Sequence, residues 1–447
     1  MEKFFKLKEN KTNVSTEVMA GITTFMTMAY ILIVNPSILS NAGMDPGAVF
    51  TATALSSAIA TATMALYANY PFALAPGMGL NAFFAFSVGL VYGWQTALLA
   101  VLVEGVIFIL ISFLSVREMI FDSIPQNIKY AVSVGIGIFI CFVGLQNAGI
   151  VVNDDSTLVN LAAKPLSNIS IVLTLIGFIG TAVLVVRKVK GALLWGILGT
   201  YVLGVICEAI GLYVPNAANG VYSLYPSGIV SLPPSIAGFN IFAAIGSGAF
   251  ENFNILDFSV IVFAFLFVDI FDTIGTLIGV STKANMLDKD GKLPRIKQAL
   301  FADALGTTVG AILGTSTVTT YVESAAGVAE GGRTGLTALV TAGLFIVSLL
   351  FFPILSVIPS FATAPALIIV GVFMITNVLN IDFTDFTEAA PAFLAIVIMP
   401  LTYSISWGLV FSILSYVIIK FVTGKAKQLN PVIIVIAALF LLKLILG

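Results

Sequence analysis

The chain has 447 residues, 59% of them hydrophobic and only 9% charged, with a formal net charge of −2. Soluble domains carry roughly a quarter charged residues, so the bilayer is this chain's main solvent. That excludes a soluble enzyme, a nucleic-acid binder and a single-anchor receptor with a large ectodomain, and the charge balance supplies no steering field. The 447 residues include no His, which rules out HExxH metalloprotease sites and His proton relays. The two cysteines, Cys141 and Cys207, lie in apolar runs and imply no disulfide framework. No GxxxxGK[ST] motif occurs, so no ATP-driven motor is expected. The charged start, MEKFFKLKENKTNVSTE, lacks the pattern of a cleaved signal peptide.

A helix needs about 20 apolar residues to cross a bilayer. Apolar runs between polar or Gly/Pro breaks predict spans at 17–39, 48–68, 71–91, 95–116, 128–150, 168–186, 191–213, 257–281, 298–314, 316–332, 334–358, 362–380, 389–403 and 405–422. A further apolar stretch, 431–446, reads as either an interfacial helix or another span. Fourteen spans with a cytoplasmic N-terminus put 18 of the 20 Lys+Arg inside, Lys164 and Lys443 being the remainder. The expected external loop 151–167 carries Asp154 and Asp155, and 214–256 has no Lys or Arg. This asymmetry follows the positive-inside rule, predicting a multi-pass cell-membrane protein with both ends of the bundle cytoplasmic.

The spans repeat with a long offset. Breaks fall at APGMGLNAFF (75–84) in the third span and at GTSTVTTYVESAAG (314–327) in the tenth. Seven spans is an odd number, so the second half must be inverted relative to the first. Inverted repeats with matching interrupted segments point to a transporter site near the bilayer midplane. Broken backbone at that depth is tolerated only inside protein or beside a cavity. Close packing through small residues is the competing reading for each segment alone, and it explains the symmetric pair less well.

Intramembrane carboxylates are costly and are read as functional by default. The candidates are Glu104, Glu208, Asp269, Asp272, Asp303 and Glu323, and no Lys or Arg sits mid-span to neutralise them. A carboxyl in a low-dielectric cavity holds its proton more tightly, which makes it a proton carrier near neutral pH. Asp269 and Asp272 are three apart and share a helix face. Glu323 lies in the broken tenth span, and Asn81 at the matching place in the third. Carboxylates and a carboxamide suit a planar, neutral ligand with N–H donors and ring acceptors, and suit an inorganic anion poorly. Glu104 and Asp303 read as hydrogen-bonded packing residues, Glu208 as water-exposed near the end of its span. The acidic group Asp382, Asp385 and Glu388 reads as a solvated helix entry, and 283–298 as a charged tether.

The stretches AGITTFMTMAYILIVNP (20–36), ANYPFALAPGMGLNAFFAF (68–86), FDTIGTLIGVSTKANM (271–286), GTSTVTTYVESAAGVAEGGRTGLTA (314–338) and APAL (364–367) run across nearly the whole chain. In them the chain resembles the AzgA-like purine permeases of the nucleobase–cation symporter, or xanthine/uracil permease, superfamily. The resemblance implies an all-α polytopic fold of about 14 transmembrane helices in two inverted seven-span repeats, with a short strand in each of spans three and ten. It implies a core domain (17–116 and 257–358) and a gate domain (117–213 and 359–422). Flanking these are a cytoplasmic segment 1–16, an extracytoplasmic connection 214–256 and the C-terminal segment 423–447. It further implies proton-coupled import of guanine/hypoxanthine or adenine by alternating access. Asn81, Asp272, Glu323, Thr319, Thr320 and Tyr321 would bind substrate, Glu323 and Asp272 would carry the proton, and Asp269 and Thr276 would support them. Purine, protons and membrane lipid are the expected partners, a homodimer is an open possibility, and no enzyme activity, cofactor, metal or nucleic acid is expected. The competing readings are an anion transporter of the same architecture, which would want a cation at the site, and a uniporter or sensor for nucleobases.

Overall fold

The computed structural model describes residues 2–113, 125–216, 221–234, 243–250, 254–283, 286–287 and 293–446. In chain order the first half contains α1 (Val14–Met28), α2 (Ile31–Leu39), α3 (Pro46–Thr63), β1 (Leu74–Pro76), α4 (Met78–Tyr92), α5 (Trp94–Phe113) and α6 (Gln126–Asn147). An exposed hairpin, β2 (Val151–Asp154) and β3 (Leu158–Leu161), precedes α7 (Ile169–Val186) and α8 (Ala192–Ala209). The second half contains α9 (Ile255–Lys283), α10 (Ile296–Leu313), β4 (Val318–Thr320), α11 (Ser324–Ala329), α12 (Gly335–Ser348), α13 (Ser360–Ile375), α14 (Phe386–Thr402) and α15 (Ile405–Val422). A last helix, α16 (Pro431–Leu446), follows. Each of the fourteen expected segments falls on a helix, a helix pair or a strand–helix pair. Arg117 and parts of the 214–256 and 283–298 segments lie outside the described residues.

The caps follow from the sequence. Asn13 accepts from the Thr16 amide at 3.0 Å to start α1, and Asp45 from the Ala48 amide at 2.7 Å to start α3, with Pro46 at its first position. Glu17 was not anticipated. It is fully buried and reaches the start of α12, accepting from the Arg333 amide at 2.9 Å and from the Thr334 and Thr337 hydroxyls at 2.9 and 2.6 Å. An anion at a helix N-terminus meets otherwise orphaned amides, so Glu17 stitches α1 to α12.

Helices α1, α3, α5, α9, α10 and α12 pack on one another, and α6, α7, α8, α13, α14 and α15 form a second set. The stretch 431–446 packs as α16 on α15 and α9, with the Phe440 and Phe263 rings 5.6 Å apart. Both cysteines are free.

The acidic entry to α14 is not simply solvated. Asp385 caps the helix through the Thr387 amide at 2.9 Å and pairs with Lys425 at 2.9 Å. Glu388 pairs at 2.8 Å with Lys420, a lysine buried on α15 that also donates to Gln428. Sequence spacing could not show this, because the partners lie one helix apart. The Lys425 ammonium, with the Thr387 hydroxyl and amide, holds the Asp385 carboxyl below the ordinary carboxylate range.

Two outcomes are expected. Glu17→Ala leaves buried donors unsatisfied and lowers stability by roughly 1–3 kcal/mol for each donor left buried, read as a fall in thermal unfolding temperature in detergent. For Asp385 the depressed folded-state value means its stabilisation is present above the ordinary carboxylate range and is lost as pH falls below it. The difference in thermal stability between wild type and Asp385→Asn is therefore full at neutral pH and closes in acid.

Candidate functional site

The middle of the bundle is built on two short strands from opposite halves of the chain. β1 and β4 pair antiparallel, with Leu74 opposite Thr320, Ala75 opposite Thr319 and Pro76 opposite Val318. Pro76 pushes Ala75 into an extended conformation, and the Thr-rich run 315–320 favours a strand over a helix. A two-stranded ribbon at membrane depth leaves edges that must be satisfied. Helix side chains do this. Thr61 on α3 donates to the Leu74 carbonyl at 3.1 Å and accepts from its amide at 2.9 Å, and Thr307 on α10 donates to the Val318 carbonyl at 2.9 Å. The Ser324 hydroxyl takes the Ala73 amide at 3.0 Å. A methyl at Gly77 would lie 2.6 Å from the Thr319 side chain, so only glycine lets β1 turn into α4 against β4.

The six intramembrane acids fall into distinct groups. Asp272, deep inside the bundle on α9, presents its carboxyl to open volume, and Glu323, directly after β4, is half-buried. The Tyr30 hydroxyl donates to Glu323 Oε1 at 2.9 Å, and the Thr27 hydroxyl lies 3.4 Å from its carbonyl. A methyl at Gly77 would sit 3.8 Å from Asp272 Oδ2, which places that carboxyl at the end of β1. Asp272 and Glu323 therefore flank the strand pair from α9 and from the β4–α11 turn. Glu104, Asp269 and Asp303, by contrast, are fully sealed from solvent. Glu208 is elsewhere, accepting from Ser223 and from the Leu224 amide, both at 2.7 Å.

The remaining expected residues have definite places. Tyr321 is buried and donates to the Pro76 carbonyl at 2.5 Å. Thr319 and Thr320 are buried on β4: Thr319 shares a hydroxyl contact of 2.7 Å with Thr273, and Thr320 donates to Asp303 Oδ1 at 2.9 Å. Asn81 is fully buried, its amide nitrogen 3.4 Å from the Pro76 carbonyl and its oxygen accepting from Ser316. In this conformation Asn81 ties β1 to the approach to β4. Thr276 is half-buried one turn beyond Asp272. Tyr30 was missed as a site residue; its signal was its place in the AYILIVNP stretch, where an aromatic hydroxyl sits among aliphatics.

A cavity of about 370 Å³ has Glu323 in its wall. Thr27, Lys190, Gly191, Ala326 and Glu330 help to line it. Lys190, on the α7–α8 connection, forms an ion pair with Glu330 at the end of α11, joining the two helix sets across the mouth. No group of acids or cysteines among the described residues is arranged to hold a metal ion.

A model of the permease family, the xanthine/uracil permeases, matches residues 15–411. The chain belongs to this family. It is a multi-pass membrane transporter and not an enzyme. The chain is 44% identical to guanine/hypoxanthine permease PbuO of Bacillus subtilis, over 98% of this chain and 99% of that one. It is 41% identical to adenine permease AdeQ of Escherichia coli, over 100% of this chain and 96% of that one. Among solved structures it is similar to the transmembrane domain of a cyanobacterial bicarbonate transporter, BicA, with a TM-score of 0.60 at 14% identity, covering 88% of this chain and 97% of that one. That likeness concerns the fold, the inverted seven-plus-seven arrangement expected from the paired breaks. The same-fold anion carrier is set aside by the family match, in agreement with the acids at the site.

The contrast between wet and sealed acids is testable by labelling. In a background lacking Cys141 and Cys207, Asp272→Cys is expected to react with a water-soluble methanethiosulfonate in detergent. Asp303→Cys is expected to stay unlabelled until the protein is denatured. Equal labelling in the native state would refute the division.

Proposed function

We propose that this permease imports purine nucleobases together with protons across the cell membrane. The single observation that carries the reading is the pair of water-accessible carboxyls, Asp272 and Glu323, at the two flanks of the β1–β4 strand pair. Among family members, named relatives include guanine/hypoxanthine and adenine permeases. A purine ring is flat and neutral, and its N–H groups need acceptors. Asp272 and Glu323 accept them, the backbone of 319–323 pairs with the ring edge, and Thr319, Thr320, Tyr321 and Asn81 hold that backbone in place. Tyr30 orients the Glu323 carboxyl. Asp269 and Thr276 support Asp272 from its own helix.

Glu323 and Asp272 lie within electrostatic reach of each other. This pair takes up the coupling proton as substrate binds. The set containing α1, α3, α5, α9, α10 and α12 then acts as the core that carries the site, and the set containing α6–α8 and α13–α15 as the gate. The cavity below Glu323 is the cytoplasmic exit, because the Lys- and Arg-rich connections gather on that face. Breaking the Lys190–Glu330 pair frees the core to move against the gate.

Carboxylates at both flanks favour a ligand that offers an N–H beside a ring carbonyl. Guanine and hypoxanthine do so, whereas adenine offers an amino group there.

The test is uptake of labelled guanine, hypoxanthine and adenine in cells lacking their own purine permeases, with and without a protonophore. Protonophore-sensitive accumulation is expected, with the oxopurines the stronger competitors. Each of Glu323→Gln and Asp272→Asn removes a hydrogen bond to a charged acceptor, about 1.5–3 kcal/mol, and should lower uptake roughly ten- to a hundredfold. Uptake that ignores the protonophore and stops at equilibrium would make the protein a facilitator. No purine uptake by protein shown to be in the membrane would refute the substrate class.

A further inference from the structure

Behind the strand pair, three helices bring three carboxyls together: Glu104 from α5, Asp269 from α9 and Asp303 from α10. Each is fully buried. Glu104 lies within reach of Asp269 and Asp303, and Asp269 also of Asp272. None of the three forms an ion pair among the described residues. On their own helices cations stand only toward the ends: α5 has no Lys or Arg, and on α10 Lys297 lies about 9 Å along the helix from Asp303. Hydroxyls take up part of the acceptor capacity. Thr273 and Thr320 donate to Asp303 Oδ1 at 2.8 and 2.9 Å. Both oxygens of Glu104, both of Asp269 and Oδ2 of Asp303 have no donor at hydrogen-bond distance among the described residues, and Glu104 and Asp269 lie carboxyl against carboxyl.

A second observation comes from a hydroxyl. Thr317, in the turn that leads into β4, is fully buried, and its hydroxyl is directed at Glu104 without reaching hydrogen-bond distance of any partner among the described residues. An ionised carboxylate in such a place, with neither cation nor donor, is prohibitively costly, and so is an idle hydroxyl. Three carboxylates within electrostatic reach of one another add to the cost. A proton on the cluster removes the problem. It turns one carboxyl oxygen into a donor, a neighbouring carboxylate into its acceptor, and gives Thr317 an acceptor for its own hydrogen. The described acids are not arranged to hold a metal ion.

We propose that Glu104, Asp269 and Asp303 form a proton-binding site, sealed behind β4 and separate from the substrate carboxyls, that exchanges its proton with Asp272 through Asp269. The transfer moves one proton. It leaves the Asp269 carboxyl for the Asp272 carboxylate one helical turn away, and Asp269 is recharged from Glu104; no other bond changes. The geometry gives the site a means of sensing the substrate platform. Thr273 bonds Asp303 and contacts Thr319, while Thr320 bonds Asp303 directly, so both polar residues of β4 rest on the cluster. Among the described residues, the polar groups facing it are acids and hydroxyls: Asp272 on the same helix as Asp269, Thr273, Thr317, Thr319 and Thr320. The coupling role rests on the purine–proton reading above, whereas the presence of the proton does not.

The experiment is infrared difference spectroscopy on the purified full-length protein in detergent, titrated over pH without purine. It follows the C=O stretch of protonated carboxyls, with exchange into D2O to identify it. Wild type is expected to show a band that Glu104→Gln removes or shifts and Glu104→Asp restores, while Asp272→Asn retains it. Size-exclusion profiles and thermal unfolding confirm that the variants are folded, and Asp269→Asn, expected to remove or shift the same band, serves if Glu104→Gln fails to fold. A wild-type band unchanged in folded Glu104→Gln would overturn the proposal. So would its displacement by sodium chloride at fixed pH, which would make the site one for a metal cation. In liposomes, Glu104→Gln is expected to retain purine counterflow and lose accumulation driven by a pH gradient. Counterflow and accumulation both at wild-type level would overturn the coupling role. Absence of any purine flux in wild type, with the band still governed by Glu104, would refute the purine reading and leave the proton site standing.

Discussion

The antiparallel pairing of β1 with β4 is the constraint on which the rest of the structure depends. Backbone amides and carbonyls at the centre of a bilayer have no water to bond to, so a chain that breaks two helices there must satisfy every exposed group itself. The two halves do this for each other through the pair Leu74–Pro76 and Val318–Thr320. The outer edges are then closed by Thr61, Thr307 and Ser324. Threonine and serine suit this work because one hydroxyl both donates and accepts. The seam between the inverted repeats is therefore a hydrogen-bonded object, and any ligand site on it inherits its rigidity.

Charge imposes the second constraint. The described membrane interior contains carboxyls at its centre and cations only toward its ends, Lys420 beside Glu388 being one example. The fold responds by separating the acids by water access. Asp272 and Glu323 face open volume and tolerate charge, whereas Glu104, Asp269 and Asp303 are enclosed and are held among threonine hydroxyls. Residues three apart on one helix, Asp269 and Asp272, thus end in opposite environments. A helix face broad enough to hold both is split by β4, which packs against α9.

Several important groups were legible only in part. Glu17 begins a span and reads as an ordinary first-turn acid, yet its partners are Arg333, Thr334 and Thr337, more than three hundred residues away. Tyr30 reads as one aromatic among many, and becomes notable through its bond to Glu323. Glu104 reads as a hydrogen-bonded packing residue, and only the packing shows that the group beside it is a second carboxyl, Asp269. Asn81 was matched to the substrate position, and here its carboxamide is occupied by Pro76 and Ser316.

By itself the sequence determined the solvent, the apolar segments, the two breaks and the inverted halves. Those follow from local composition: apolar length sets a crossing, and Pro, Gly and Thr interrupt it. The motifs likewise placed the family, because the third- and tenth-span stretches are long and specific. Only the tertiary structure decided which carboxyls meet water, which share a sealed pocket, and which hydroxyls serve each. Those outcomes depend on the distance between helices hundreds of residues apart and on how strands of three residues divide the space between them, and neither quantity is encoded in any one segment.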